Sequence, residues 1–429
     1  MKILVLGSGA REHAIILSLL SEDAGHEVLA APGNAGIGQV VDTVDLDPND
    51  PVAVANYAIA HAVALVVIGP EAPLVAGVAD ELREQGIPVF GPGRAAAELE
   101  GSKTFAKRVM DVAGVPTGRA RRAGTLAEAE TALDLFGAPY VVKADGLAAG
   151  KGVLVTTDRE AALEHARTYL DHGSVLVEEF LDGQEVSLFF VSDGHTVVPL
   201  SPAQDYKRLA DGDEGPNTGG MGAYSPLPWL DGTFGSEEAF VTEVLETIAK
   251  PVVAQLAEEQ TPFIGLLYAG LILTSRREGD DDRGIRVIEF NARFGDPETQ
   301  VVLPRLESPL SRLLYAAATG TLAENDRPTF APASAVTVVL ASENYPAAPV
   351  TGRPIRGLAE ADAVPGAHIA HAATGTRGDD LVSTGGRVLS VVALGDDFAE
   401  ARARAYEALG HISLEGAQHR TDIAARVAS

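Results

Sequence analysis

The stretch at 140–153, YVVKADGLAAGKGV, constrains this chain more than any other. Tyr140, Val141 and Val142 are strong strand formers, and they carry Lys143 into a segment punctuated by Gly146, Gly150 and Gly152. Asp145, Lys151 and alanines fill the rest, and strand character resumes with LVTT at 154–157. A strand, a glycine loop and a second strand make a hairpin whose tip bares backbone N–H groups, and these can lie over anionic oxygens. The same residues also make an ordinary glycine-rich turn, so the stretch alone leaves both readings open. It is not a Walker A loop. Gly152 follows Lys151 where Ser or Thr is needed, the glycine spacing is wrong, and a strand follows in place of a helix.

The chain before it alternates strands and helices. KILVLG at 2–7 is a continuous apolar run, as in a parallel strand buried on both faces, and the helix AIILSLL follows. Further strands are expected at 27–34, at 64–73 (ending in a turn) and at 87–93, with a helix over 76–85. This alternation predicts a doubly wound parallel sheet over about 1–101, with ligands at the carboxyl ends of its strands, near Gly9, Glu71 and Gly91. A dinucleotide site does not fit. Glu12 stands where the third glycine of G-x-G-x-x-G belongs, and the second strand ends Ala30-Ala31-Pro32 without an acid for a ribose.

Downstream, a helix over 102–113 carries Lys103, Lys107 and Arg108. Helices over 126–136 and 159–170 flank the glycine hairpin, and strand–turn–strand follows over 174–194, giving a small α+β unit over about 124–187. The 202–224 stretch lacks periodicity and reads as a structureless loop, either disordered or functional. One long helix is expected over 237–259, then strands over 265–275 and 285–295. From about 326 the composition shifts to strands and turns that end in a helix over 397–409, a separate C-terminal unit.

Charge narrows the partners. The net charge of −27 excludes a general nucleic-acid surface, so a site for an anionic substrate has to concentrate its Lys and Arg locally. Without cysteine there is no disulfide, thiol nucleophile or Cys-zinc site. The N-terminus starts as a strand, and no uncharged apolar run approaches the roughly 18 residues of a membrane span. A cytoplasmic protein without membrane partners is expected. His13, His61 and His165 read as surface or packing residues, with no Ser–His–acid order around them.

In RVIEFNARFGD, strand alternation puts Glu289, Asn291 and Arg293 on one face and Ile288, Phe290 and Ala292 on the other. A carboxylate and an amide oxygen two residues apart suit a Mg²⁺ that bridges nucleotide phosphates, and Arg293 adds a fork for phosphate or carboxylate. A solvated polar strand face would carry the same residues. Glu178–Glu179–Phe180–Leu181 with Glu185 reads equally as an adenosine-holding linker or an acidic hairpin. Segments 204–208 and 217–222 mix charge with glycine, as an anion-binding loop does.

Taken together, the motifs resemble the phosphoribosylamine–glycine ligase (glycinamide ribonucleotide synthetase) family of ATP-grasp enzymes. The resemblance rests on LGSGAREHAI (6–15), GPEAPLVAG (69–77), GPGRAAAELEGSKTFAK (91–107), VVKADGLAAGKGV (141–153), VEEFLDGQEVS (177–187), SPAQDYKR (201–208), GPNTGGMGAYSP (215–226) and IEFNARFGDPETQ (288–300), in order along the chain. It implies an α/β and α+β multidomain chain. An N-terminal doubly wound parallel sheet (pre-ATP-grasp) would span 1–101, an ATP-grasp core 102–123 and 188–325, a mobile lid 124–187, and a small mixed α/β domain 326–429.

The implied reaction joins glycine to 5-phosphoribosylamine with ATP, through glycyl phosphate, in purine synthesis. On that resemblance Lys103, Lys143, Gly146, Gly150, Lys151 and Gly152 would hold ATP phosphates, and Glu178, Glu179, Phe180, Leu181 and Glu185 the adenosine. Glu289 and Asn291 would bind Mg²⁺ or Mn²⁺. The substrates would meet Gly9, Arg11, Glu12, Glu71, Asp205, Lys207, Arg208, Asn217, Thr218, Gly219, Gly220, Arg293 and Asp296, with Arg293, Lys143 and Asp205 catalytic. The implied partners are small molecules only, and the chain is expected as a monomer or weak homo-oligomer. Tyr206, Ala10, Ala292 and Asn344 depart from the family's usual His, Gly, Cys and Gly. Tyr206 puts any proton-transfer role at that position in doubt. Another ATP-grasp carboxylate–amine ligase and a non-catalytic nucleotide sensor are the rival readings, and retention of Lys143, Glu289 and Asn291 speaks against the sensor.

Overall fold

The structure is a computed structural model that describes residues 1–146, 152–274 and 284–428. Gly150 and Lys151, expected to hold phosphate, lie outside the described residues.

The N-terminal sheet has strands β1 (Lys2–Gly7), β2 (Glu27–Pro32), β3 (Asp42–Thr43), β4 (Leu65–Ile68) and β5 (Val89–Phe90), all parallel, in the order β3-β2-β1-β4-β5. Leu4 and Leu6 join one hydrophobic cluster and Ile3 and Val5 another, so both faces of β1 are covered. That is why the run reads as unbroken apolar sequence. The strand expected over 64–73 stops at Ile68. Glu71 opens a helix, Glu71–Ala76, so its carboxylate sits in a first helical turn at the mouth of the sheet.

A second sheet takes β6 (Ala120–Ala123), β7 (Tyr140–Ala144), β8 (Val153–Thr156) and β9 (Val175–Glu178) in the antiparallel order β6-β9-β7-β8. The helices Leu126–Phe136 and Arg159–Leu170 fall where their sequence placed them, and this unit has its own small core of Ala129, Leu133, Val142, Ala162, Val175 and Val177. Its strands begin at Ala120 and end at Glu178. The next strand, β10 (Gly183–Asp193), already belongs to a third sheet with β11 (Val197–Pro199).

The 202–224 stretch is not structureless. It holds β12 (Gln204–Asp205), β13 (Arg208–Ala210), β14 (Glu214–Asn217) and β15 (Gly222–Ser225), too short to show a period in sequence. β13 and β14 form a ribbon. The third sheet is completed by β16 (Ile264–Thr274) and β17 (Ile285–Asn291) in the order β11-β10-β16-β17. The long helix expected over 237–259 instead runs as Glu237–Val244 and Lys250–Glu258 around a π turn, Leu245–Ala249. The wide turn lies where Pro251 would otherwise press on the carbonyl four residues back.

The C-terminal strands are β18 (Ser334–Ala341), β19 (Ala367–His371), β20 (Thr374–Arg377), β21 (Asp380–Ser383) and β22 (Arg387–Gly395). The C-terminal sheet is not self-contained: its order is β12-β15-β18-β22-β19, so the 204–225 segment supplies two of its strands. Gly222 shows how close that junction is. A Cβ there would lie 2.7 Å from both the Ile423 Cδ1 and the Thr337 carbonyl oxygen, the latter in the partner strand. Gly222→Ala should therefore cost about 1–3 kcal/mol, read from denaturant unfolding; an unchanged midpoint would contradict the packing.

The N-terminal unit docks on the C-terminal one through buried histidines. His13 Nδ1 accepts the His371 backbone N–H at 2.9 Å. Burial, with His371 and His368 nearby, lowers His13 to about 3, and burial lowers His371 and His368 to about 4 each. Folded-state values lie below the ordinary one, so the unfolded chain takes up these protons first and stability falls as pH drops below about 6.5. Compared with His13→Asn, the wild type should lose about 1 kcal/mol more per pH unit between pH 6 and 4. Parallel losses in the two proteins would remove His13 from this account.

Candidate active site

The site forms where the second sheet, the third sheet and the carboxyl ends of the N-terminal strands meet. β7 delivers Lys143, whose Nζ lies 3.1 Å from Glu178 Oε2 at the end of β9 and donates to the Ile288 carbonyl at 3.2 Å. That carbonyl is free because of a β-bulge. In the β16–β17 ladder Gly270 faces Glu289 and Leu271 faces Val287, leaving Ile288 unpaired. The bulge also resets the alternation. Ile285 and Val287 are buried on the core side, whereas Glu289 and Asn291 turn to the opposite, half-exposed face. Ile288 itself is half-exposed rather than packed with Phe290 and Ala292, which corrects the strict alternation read from sequence. Without the extra residue Glu289 would point into the core.

Glu289 is thereby set among cations. Burial alone would raise its carboxyl, and Lys207, Lys143, Lys103 and Arg293 together hold it below the usual range. Asn291, two residues on, shares its face. One carboxylate and one amide oxygen with lysines close by suit a divalent cation that keeps waters and bridges phosphates. Among the described residues no group of three His, Cys, Asp or Glu makes an all-protein cage. The donor set therefore fits a nucleotide-borne metal.

The helix Lys103–Val112 adds two more lysines. Lys103 Nζ donates to the Gly146 carbonyl at 3.1 Å; Lys107 Nζ lies 3.3 Å from Glu178 and donates to Thr117 Oγ1 and the Gly118 carbonyl. Burial depresses both ammonium groups, against the pull of Glu289 on Lys103 and of Glu178 on Lys107. Asp145 ties the end of β7 to this helix and to Ser174. Its carboxylate accepts from Thr104 N–H (3.2 Å) and hydroxyl (2.6 Å) and from the Ser102 and Ser174 hydroxyls. The lysines that would meet phosphates thus already have oxygen partners, which a polyphosphate can replace.

Beside them lies an arginine–acid cluster. Arg293 NH2 lies 3.0 Å from Glu100 and its Nε 3.6 Å from Glu71, while Glu100 also accepts the Ala292 N–H at 2.7 Å. Burial raises the Glu100 carboxyl even with Arg293 beside it. Burial would lower Arg293, but Glu100 and Glu71 lead the acids that hold its pKa above the ordinary value. Arg11 donates to the Phe294 carbonyl and to Glu12; Glu12 is buried, caps the Gly9 N–H at 2.6 Å, and fits only because Gly7 and Gly69 leave room for its side chain. Glu12 reaches the cleft only through those groups.

The third part comes from β12–β15. Burial, despite Lys207, raises Asp205 to about 8, with Glu298, Glu185 and Glu289 adding to the rise. Lys207 binds Glu185 at 2.6 Å. Glu298 is buried and accepts from Ser187 and Tyr268 hydroxyls at 3.1 and 3.0 Å. Thr218 N–H and hydroxyl both donate to the Lys207 carbonyl, folding 217–220 back on the Lys207 backbone. Arg208 turns to the Gly215 carbonyl at 2.8 Å. Glu179 pairs with Arg119, leaving Phe180 exposed in the linker. Arg387 joins Asp296 (3.3 Å) to the Gly219 and Gly220 carbonyls.

The structure thus gathers Lys103, Lys143, Glu178, Glu289, Asn291, Arg293, Glu71, Asp205 and Lys207. Sequence reasoning missed Glu100, Tyr268, Glu298 and Arg387 as site residues. Glu100 and Glu298 lay in the motif stretches at 91–107 and 288–300, whereas Tyr268 gave no signal of its own. Tyr206 lies away from the cleft, under Arg420, with its hydroxyl taken by the Ala424 N–H.

Comparison with known proteins shows which family the chain resembles. The chain matches Phosphoribosylglycinamide synthetase, N domain, over 1–100, its ATP-grasp (A) domain over 101–299, and its C domain over 335–426. It is 71% identical to the phosphoribosylamine–glycine ligase of Leifsonia xyli over 99% of this chain and all of that one. It is 58% identical to that of Streptomyces coelicolor over the full length of both. A crystal structure of the Thermotoga maritima phosphoribosylamine–glycine ligase superposes with a TM-score of 0.81 at 32% identity, covering 98% of this chain and 100% of that one. A biotin carboxylase domain from Hydrogenobacter thermophilus, at 18% identity and a TM-score of 0.67 over 97% and 91% of the two chains, shares the fold.

Proposed function

The chain belongs to the phosphoribosylglycinamide synthetase family, and from that premise we propose how its own residues join glycine to 5-phosphoribosylamine at the expense of ATP. A glycine carboxylate oxygen attacks the γ-phosphorus, releasing ADP and leaving glycyl phosphate. The amine of phosphoribosylamine then attacks the carbonyl carbon and expels phosphate.

Lys103, Lys143 and the Gly146–Gly152 loop take the ATP phosphates, and Glu178–Leu181 with Glu185 takes the adenosine. Glu289 and Asn291 would hold Mg²⁺ or Mn²⁺, which would supply charge neutralisation for phosphoryl transfer. Arg293 orients the glycine carboxylate, and Asp205 takes the proton the amine loses. Gly9, Arg11, Glu71, Lys207, Arg208, Asn217–Gly220 and Asp296 line the remaining substrate space, and Glu12 acts through Gly9 and Arg11. The reaction needs positioning and charge neutralisation more than an enzyme nucleophile, which suits a chain without cysteine. The partners are these small molecules, in the cytoplasm. The domains are the N-terminal sheet, a core, a lid hinged near 120 and 178, and the C-terminal unit.

One observation carries the reading: the bulge at Ile288 turns Glu289 toward Lys103, Lys143 and Lys207, with Asn291 on the same half-exposed face. The test is ADP release by the purified protein with ATP, Mg²⁺ and fresh phosphoribosylamine, comparing glycine with formate and bicarbonate. Glycine-dependent turnover is expected. Turnover that ignores glycine would favour another ATP-grasp ligase.

A further inference from the structure

Arg420 is buried to 1% exposure although it lies outside the cleft. Its guanidinium forks onto both oxygens of Asp422 at 2.7 and 2.6 Å, and its NH1 reaches Asp213 at 2.8 Å and the Arg208 carbonyl at 3.2 Å. It stacks 4.7 Å from the centre of the Tyr206 ring, whose hydroxyl accepts the Ala424 N–H at 2.9 Å. Thr421 donates its N–H and hydroxyl to Asp211, and the Gly212 N–H donates to Asp422 at 2.9 Å. The segment 420–424 therefore grips 206–213 from several directions.

That segment is itself braced from behind by the helix Phe398–His411. Arg402 Nε donates to the Ile423 carbonyl at 3.0 Å, and the Tyr406 hydroxyl to the Arg420 carbonyl at 2.8 Å. Tyr206 and Lys207 lie between β12 and β13, and Tyr206 is held by the Arg420 guanidinium on its ring and by the Gly222 carbonyl and Met221 N–H on its backbone. The adjoining Lys207 binds Glu185 at 2.6 Å. A shift of the tail that moves Tyr206 therefore displaces its chain neighbours Asp205 and Lys207.

We propose that the 420–424 segment sets the position of Asp205 and Lys207, making Arg420 and Tyr206 positioning residues for the phosphoribosylamine half of the reaction. The substrate assignment rests on the function proposed above; the mechanical link rests on the contacts alone.

The test is Arg420→Lys, which keeps the charge but loses the fork onto Asp422. Asp213→Asn is the second variant; its carboxylate is half-exposed, so it weakens one tie to a neutral hydrogen bond without burying an unpaired group. In Arg420→Lys the KM for phosphoribosylamine should rise at least about 10-fold, with the KM for ATP within about twofold. Amides over 205–217 should exchange faster in both variants. Unchanged KM values with unchanged exchange would overturn the proposal, as would equal rises for both substrates. A wild type that did not use phosphoribosylamine would sink the functional reading instead, and exchange over 205–217 would then decide the tail's role. Should Arg420→Lys fail to fold, Asp213→Asn decides by the same two readings.

Discussion

Glu289→Gln is expected to lower turnover on the order of 10³-fold while leaving the fold intact. The substitution keeps the side-chain size and one acceptor oxygen but removes the charge that Lys207, Lys143 and Lys103 surround. What is lost is the anion that pairs with a cation on the nucleotide. The variant should therefore still bind ATP in the presence of a chelator, and the gain in affinity on adding Mg²⁺ should collapse. Calorimetric titration with and without Mg²⁺ reads this directly. Activity within twofold of wild type would refute the metal assignment.

Arg293→Met should lose turnover to a similar degree and, unlike Glu289→Gln, should also destabilise the protein by about 3–5 kcal/mol. The cost arises because Glu100 stays behind, buried and holding only the Ala292 N–H. Adding Glu100→Gln removes that stranded charge. The double variant should recover most of the stability and none of the activity. Recovery of both would make Arg293 a structural partner of Glu100 only, and recovery of neither would mean the destabilisation has another source.

The helices at 126–136 and 159–170 and the parallel N-terminal sheet were legible because each element is an unbroken helical or apolar run, and the strand carrying Glu289 was legible as a strand though not in its alternation. The bulge at Ile288 was not. It is a property of pairing with β16, and no residue type announces it. Glu100 and Arg387 escaped for a related reason: each meets its site partner across a long stretch of chain, 192 residues between Glu100 and Ala292 and 91 between Arg387 and Asp296. The short strands β12 to β15 were hidden because two to four residues cannot display a period. The strand positions that face the cleft depend on the C-terminal tail, which sequence order sets far away. Glu12, by contrast, was read near the cleft from its motif, and the structure shows its carboxylate occupied by Gly9 and Arg11.

Glycine labelled with ¹⁸O in its carboxylate tests the central claim most directly. If this site activates glycine by phosphoryl transfer, one labelled oxygen leaves with the phosphorus and appears in inorganic phosphate, and the other stays in the new amide. Mass spectrometry of the phosphate after turnover with phosphoribosylamine should therefore show one ¹⁸O per molecule. Phosphate free of label, with amide still formed, would contradict the account.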